Sequence, residues 1–174
     1  MKLKKLLALA LAGVLMLTLL TGCSGGGTGE DRLVAEAVAD HFMKSSPNAV
    51  VSYSVPELTS TIRPAFTPDW FLRNAEGNIY MLNENFPIGA GQTLKDFLEE
   101  SLKAYAQSNF VGFLAFDSTG MSASEQVEQF ANGVPSCTVH NKGWSTSANT
   151  KLRVGVRHKT VAGREYCLIV IVRA

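Results

Sequence analysis

Leu33, Val34, Ala37, Val38 and Phe42 recur at three- and four-residue spacing, so the pattern predicts an amphipathic helix over residues 31–45. Ser45-Ser46-Pro47-Asn48 ends it, because proline cannot continue a helix and disfavours helical backbone just before itself. Residues 49–53 form a short strand candidate. Pro56, Pro64, Pro68 and Pro87 then punctuate residues 54–92, where no long period survives. Within that stretch, Thr67-Pro68-Asp69-Trp70 predicts a short helix to about Asn74, with threonine as N-cap and proline in the first helical position. Residues 75–78 read as a turn and residues 79–82 as a strand.

The second half carries stronger periods. Thr93-Leu94-Lys95-Asp96 resembles a capping box with Asp in place of Glu, and Leu94, Phe97, Leu98, Leu102 and Tyr105 share one face of a helix predicted to reach about Ser108. Residues 110–116 are apolar, aromatic and uncharged, the mark of a central strand. Ser122-Ala123-Ser124-Glu125 is a full capping box, opening a helix through Val127, Phe130 and Ala131 that Gly133 and Pro135 close. Residues 152–158 and 166–172 are strands, and the connection between them contains Gly163 and is short enough for a hairpin. Helices alternating with strands that are apolar on both sides imply an α/β sandwich in two or three layers, with a mainly antiparallel sheet and a C-terminal β-hairpin.

One apolar run stands outside this pattern. Lys2, Lys4 and Lys5 precede an apolar stretch from Leu6 to Leu20, and Leu20-Thr21-Gly22-Cys23 follows. A basic start, a short apolar run and a small-residue cleavage site make a secretory signal. The cysteine directly after the small residue makes the segment resemble a bacterial lipoprotein lipobox. That resemblance implies removal of residues 1–22 and lipidation of Cys23 by an amide-linked, palmitate-class acyl chain and a diacylglyceryl group. Two or more chains anchor stably where one binds only marginally. The run is shorter than the ~20 residues a spanning helix needs. Ser24 and the glycines that follow give a flexible tether. The organisation expected is a signal peptide over residues 1–22, a lipidated cysteine and tether over 23–30, and one globular domain over 31–174, on the extracytoplasmic face of a bacterial membrane.

Charge changes with cleavage. Three of the 16 basic residues and none of the 15 acidic ones precede Cys23, so the formal charge falls from +1 to −2. A slightly acidic domain lacks the basic stripe that nucleic-acid binding wants, which excludes nucleic acid as the expected partner. With Cys23 assigned to lipid, Cys137 and Cys167 remain; they are either a disulfide of an exported domain or two unrelated core thiols. Neither belongs to a C-x-x-C pair, and Cys137 with His140 is half a zinc ligand set, so neither a metal nor another cofactor is expected.

Residues 122–172 resemble a divergent CAP domain, the SCP-like fold of cysteine-rich secretory, antigen 5 and pathogenesis-related proteins. The resemblance lies in the order of the capped helix from Ser122, then His140 within Ser136-Cys137-Thr138-Val139-His140, the glycine-centred Leu152-Arg153-Val154-Gly155-Val156, and Ala162-Gly163-Arg164-Glu165-Tyr166-Cys167-Leu168. The family's cleft usually joins two histidines and two acidic residues. Only His140 has a counterpart here, so the resemblance implies the fold with a degenerate site.

Other chemistry is weaker. His41 reads as a partly buried structural histidine and His158 as a solvated residue at a strand end, while His140 sits in what reads as a Gly-, Ser- and Asn-rich loop. Ser136, Ser145 and Ser147 are close to His140 in sequence, but there is no nucleophile elbow. Cys137 with His140 could form a thiol dyad. Glu99, Glu100, Glu125 and Glu128 read as solvated helix faces, Gly89-Ala90-Gly91 as a turn or an anion cradle, and Trp70, Phe71, Phe86 and Trp144 as core or groove lining. The function expected is a membrane-anchored binding module for a ligand or protein partner at the cell surface, non-catalytic. The alternative is a secreted hydrolase using His140 with a nearby serine or acidic residue.

Overall fold

The computed structural model describes residues 29–44, 48–143 and 150–174. The signal peptide, Cys23, the helix stop at residues 45–47 and Trp144, Ser145 and Ser147 lie outside the described residues.

The chain folds as α/β around a five-stranded sheet in the order β1 (Val50–Ser52), β8 (Lys151–Val161), β9 (Arg164–Arg173), β6 (Phe110–Asp117), β7 (Ser136–Asn141). Every pairing is antiparallel except β1 with β8. Two-stranded hairpins β2 (Phe71–Arg73) with β3 (Ile79–Leu82), and β4 (Pro87–Gly89) with β5 (Gln92–Thr93), lie beside the sheet. β9 explains the unbroken apolar run at the C-terminus. Tyr166, Leu168, Val170 and Val172 enter one core, while Cys167, Ile169 and Ile171 enter another on the opposite face, so each residue of the strand needs an apolar side chain. The C-terminal hairpin is as expected, with a tighter connection than the sequence suggested. Val161 pairs with Arg164, leaving Ala162 and Gly163 as a two-residue turn, both at positive φ (50° and 80°), the twist that suits a tight hairpin.

Helices α1 (Gly29–Met43) and α3 (Ala123–Ala131) cover one face. Val34, Ala35, Val38 and Ala39 of α1 pack there with Phe130 of α3 against Val154, Val156 and Ile169. Leu33, expected on the apolar face, is instead 49 % exposed, because the buried stripe runs through Asp31, Val34, Ala35, Val38 and Ala39. The other face is covered by α2 (Leu94–Ser101) and the irregular segment before it. The capping boxes expected at Thr93 and Ser122 both form.

Three expectations are corrected. The helix from Pro68 is a single 3-10 turn ending at Trp70, because Phe71–Arg73 leave it to pair with β3 and bury Phe71 beside Phe66 and Tyr166. The helix from Thr93 stops at Ser101, with a 3-10 turn at Lys103–Tyr105. Leu58–Ile62 and Arg63–Ala65 form a wide π-type turn running into a short α-turn that the sequence pattern did not reveal. β1 pairs with β8 only as far as Arg153, and the segment around residues 55–66, which contains this turn, lies along the rest of the β8 edge. Gly155 permits the contact: a Cβ there would come within 2.8 Å of Val55 Cβ and 3.2 Å of Leu58 Cδ2.

Candidate functional site

His140 is in β7, not in a loop. The neighbouring strand β6 supplies Val111 opposite His140, and the register then slips so that Gly112 faces Thr138. Val139 is thus an extra residue on β7, a bulge that sets Val139 and His140 together against Val111. The bulge is the local reason a groove exists here. Glu99, Leu102, Lys103 and Ala106 from α2 and the turn after it close the other side, enclosing about 220 Å³. The walls are mainly aliphatic, with one carboxylate, one ammonium and one imidazole. His140 Nε2 is buried and has no hydrogen-bond partner among the described residues.

Among the described residues, neither Ser136 nor Cys137 forms a catalytic pair with His140. Ser136 stands four residues away on the same strand, and a rise of about 3.3 Å per residue puts the two backbones roughly 13 Å apart. Cys137 faces the core under α2, where burial first and the nearby Glu84 second push its thiol up to about 12, the opposite of an activated nucleophile. The disulfide considered for Cys137 and Cys167 does not form. Both are free and buried, and they lie in cores on opposite faces of the sheet, on β7 and β9, with β6 between those strands. The second reading, two unrelated core thiols, is the one the fold realises.

Trp70 and Phe71 are core residues and Phe86 packs against the same core. Gly89-Ala90-Gly91 is the turn joining β4 to β5, all three residues at positive φ. Glu99, Glu100, Glu125 and Glu128 are exposed, as expected. His41 is exposed, with its ring edge-on to Phe42 and Phe130 at 5.6 and 5.4 Å between centroids.

A second polar cluster escaped the sequence reading altogether. His158 is not a solvated strand end: β8 continues to Val161, and its imidazole is 9 % exposed. Nδ1 lies 2.6 Å from Asp31 Oδ1 on α1, and Nε2 lies 2.8 Å from Gln126 Oε1 on α3. Gln126 is fully buried, and its Nε2 donates to Glu30 Oε1 at 2.7 Å, which fixes the amide oxygen toward the histidine. Arg157 has the parity of the opposite face, where its Nε donates to Thr59 Oγ1 at 2.8 Å, yet its guanidinium also reaches within 3.9 Å of Asp31 Oδ2 around the β8 edge. Asp31 and Glu30 are the first acidic residues of α1, positions a helix N-terminus favours for negative charge. The one available signal was Asp31 at the head of an amphipathic helix; its partner His158 is 127 residues away in sequence.

Among the described residues, no group of three or more His, Cys, Asp and Glu side chains is placed to hold a metal ion, and no helix is long and apolar enough to cross a membrane. No protein-family model matches the chain, and no curated protein sequence or solved structure is detectably similar to it.

Proposed function

We propose that this chain is an extracytoplasmic lipoprotein, held on a bacterial membrane by lipid on Cys23, whose divergent CAP-like α/β domain binds a ligand or protein partner and does not catalyse a reaction. The observation that carries the reading is Leu20-Thr21-Gly22-Cys23 at the end of a short apolar run, followed by Ser24 and glycines. The CAP-like part rests on the order of capped helix, His140, glycine-centred strand and glycine turn, together with helices layered on a mainly antiparallel sheet. The groove between α2 and the β6–β7 bulge is the binding site this reading assigns, because its aliphatic walls offer apolar contact and Glu99, Lys103 and His140 offer a few orienting polar groups.

Labelling with a tagged fatty acid tests the anchor. Cys23→Ala is expected to abolish incorporation and to leave the precursor uncleaved; unchanged labelling of that variant sinks the proposal. The competing reading, a secreted hydrolase built on His140, draws on the unpartnered Nε2 and on Glu99 in the same groove. Zinc titration separates the two. A stable site wants three or four ligands, so metal uptake is expected to be weak and unchanged in His140→Ala. Stoichiometric uptake that disappears with that substitution would restore the hydrolase.

A further inference from the structure

We propose that His158 is a proton-operated latch: its doubly protonated ring clamps α1 and α3 to the sheet, and loss of one proton loosens α1. Hydrogen-bond logic carries the inference. An ionised carboxylate accepts and cannot donate, so the contact from Nδ1 to Asp31 requires a proton on Nδ1. The amide oxygen of Gln126 also only accepts, and that oxygen faces the ring because the amide nitrogen is committed to Glu30. Both ring nitrogens therefore carry protons, and the ring is an imidazolium bonded to two helices from a strand they both cover.

The surrounding charges favour that state. From α1, Asp31 and Glu30 are negative; from β9, Glu165 adds a third carboxylate, and Cys167 faces His158 across the ladder. On the positive side stand the flanking Arg157 and Lys159 of β8, with Arg63 from the edge segment donating to the His158 carbonyl at 2.7 Å. Arg157 is itself drawn toward Asp31 and Thr59, and Lys159 is turned to the carbonyls of Pro64 and Phe66 at 2.8 Å each. Burial pulls the imidazole pKa down, but the Asp31 hydrogen bond and charge, with Glu30 and Glu165 behind it, outweigh burial and raise it above the ordinary histidine value. A raised folded-state pKa means the contact is fully present below the unfolded value of about 6.5 and is lost as pH rises through the folded value. The neutral ring keeps its proton on Nδ1 against the Asp31 carboxylate, so the Nε2 contact to Gln126 then pairs acceptor with acceptor, and α1 loses the cation that holds Asp31 and Glu30.

The full-length chain, uniformly labelled with 15N, supplies the test. Long-range nitrogen–proton spectra of the three histidine rings are expected to show His158 more than half protonated at both nitrogens at about pH 6.5, with its midpoint above that. Hydrogen exchange is then followed over residues 29–43 and, as an internal reference on the other face, residues 94–101. The protection of α1 relative to α2 is expected to fall by up to about tenfold per pH unit above about 6.5, then to level off at the ring's own pKa. His158→Gln removes the titration and should flatten the ratio. Should that variant not fold, His41→Gln and His140→Gln assign the His158 signals by elimination. A His158 midpoint at or below about 6.5, or a protection ratio that does not change with pH, overturns the latch.

Discussion

Trp70→Ala is expected to destabilise the domain by about 3–5 kcal/mol, the range for removing a fully buried large aromatic residue from a packed core. Trp70 has no exposed surface and closes the irregular segment onto the sheet, with its ring edge-on to Phe66, Phe97 and Phe113 at 5.4, 5.9 and 6.0 Å between centroids. Those three partners come from the segment before the hairpin, from α2 and from β6. A cavity at Trp70 therefore loosens three elements together, and neighbouring side chains cannot close it by a single shift. Trp70→Phe separates volume from chemistry. The indole N–H is buried with no partner among the described residues, and an unsatisfied buried donor costs about 1–3 kcal/mol. Phenylalanine gives up ring area but removes that donor, so its cost should be well under half that of alanine. Urea midpoints of the two variants check this; equal losses would mean the indole N–H is satisfied and matters more than the ring contacts.

Trp70 also shows what was legible in the sequence. Of the two uses open to it, core or groove lining, it takes the core, but the helix expected to carry it ends after one turn. Thr67 and Pro68 start one turn as their chemistry dictates, and Phe71 then gains more by pairing with Leu82 and stacking on Tyr166 than by continuing the helix. Local start signals are short-range, whereas the stop was set by a partner far along the chain. The same division holds elsewhere. The capping boxes at Thr93 and Ser122 and the two-faced β9 are written in adjacent residues and form as expected. Strand β7 was hidden because Ser136-Cys137-Thr138-Val139-His140 alternates weakly and its one bulge breaks the period where the groove forms. The latch was hidden for another reason. Asp31, Gln126 and His158 are each ordinary polar residues on their own elements, and only the packing of α1 and α3 over β8 gives them partners.

Asp31→Ala is expected to cost about 3–5 kcal/mol near pH 6, as for one partner removed from a buried ion pair. Its side chain is 6 % exposed and stands between two cations, with His158 at 2.6 Å and Arg157 at 3.9 Å. The two cations respond differently to losing it. Arginine cannot shed its proton, so Arg157 keeps its charge near the strand edge, where Thr59 Oγ1 and the Val156 carbonyl still accept from it. Histidine can, so part of the penalty is relieved when the ring gives up a proton. Without Asp31, burial acts on His158 against only Glu30 and Glu165, and its pKa falls from the wild-type value. The wild-type advantage should therefore shrink as pH rises through the folded pKa of His158, because there the native ring loses the charge that Asp31 holds. Denaturant unfolding of both proteins between about pH 6 and about pH 9 measures that advantage directly. An advantage that narrows with pH places the energy in the Asp31–His158 pair. A constant advantage would assign it to Arg157 and to the start of α1, and would count against any role for the histidine's charge. Asp31→Asn refines the answer, since its amide oxygen can still accept from Nδ1 while the carboxylate charge is gone. If hydrogen bonding alone mattered, asparagine would recover most of the stability at every pH. The burial of Asp31 and His158 together favours charge as the larger share, so asparagine should recover less than half.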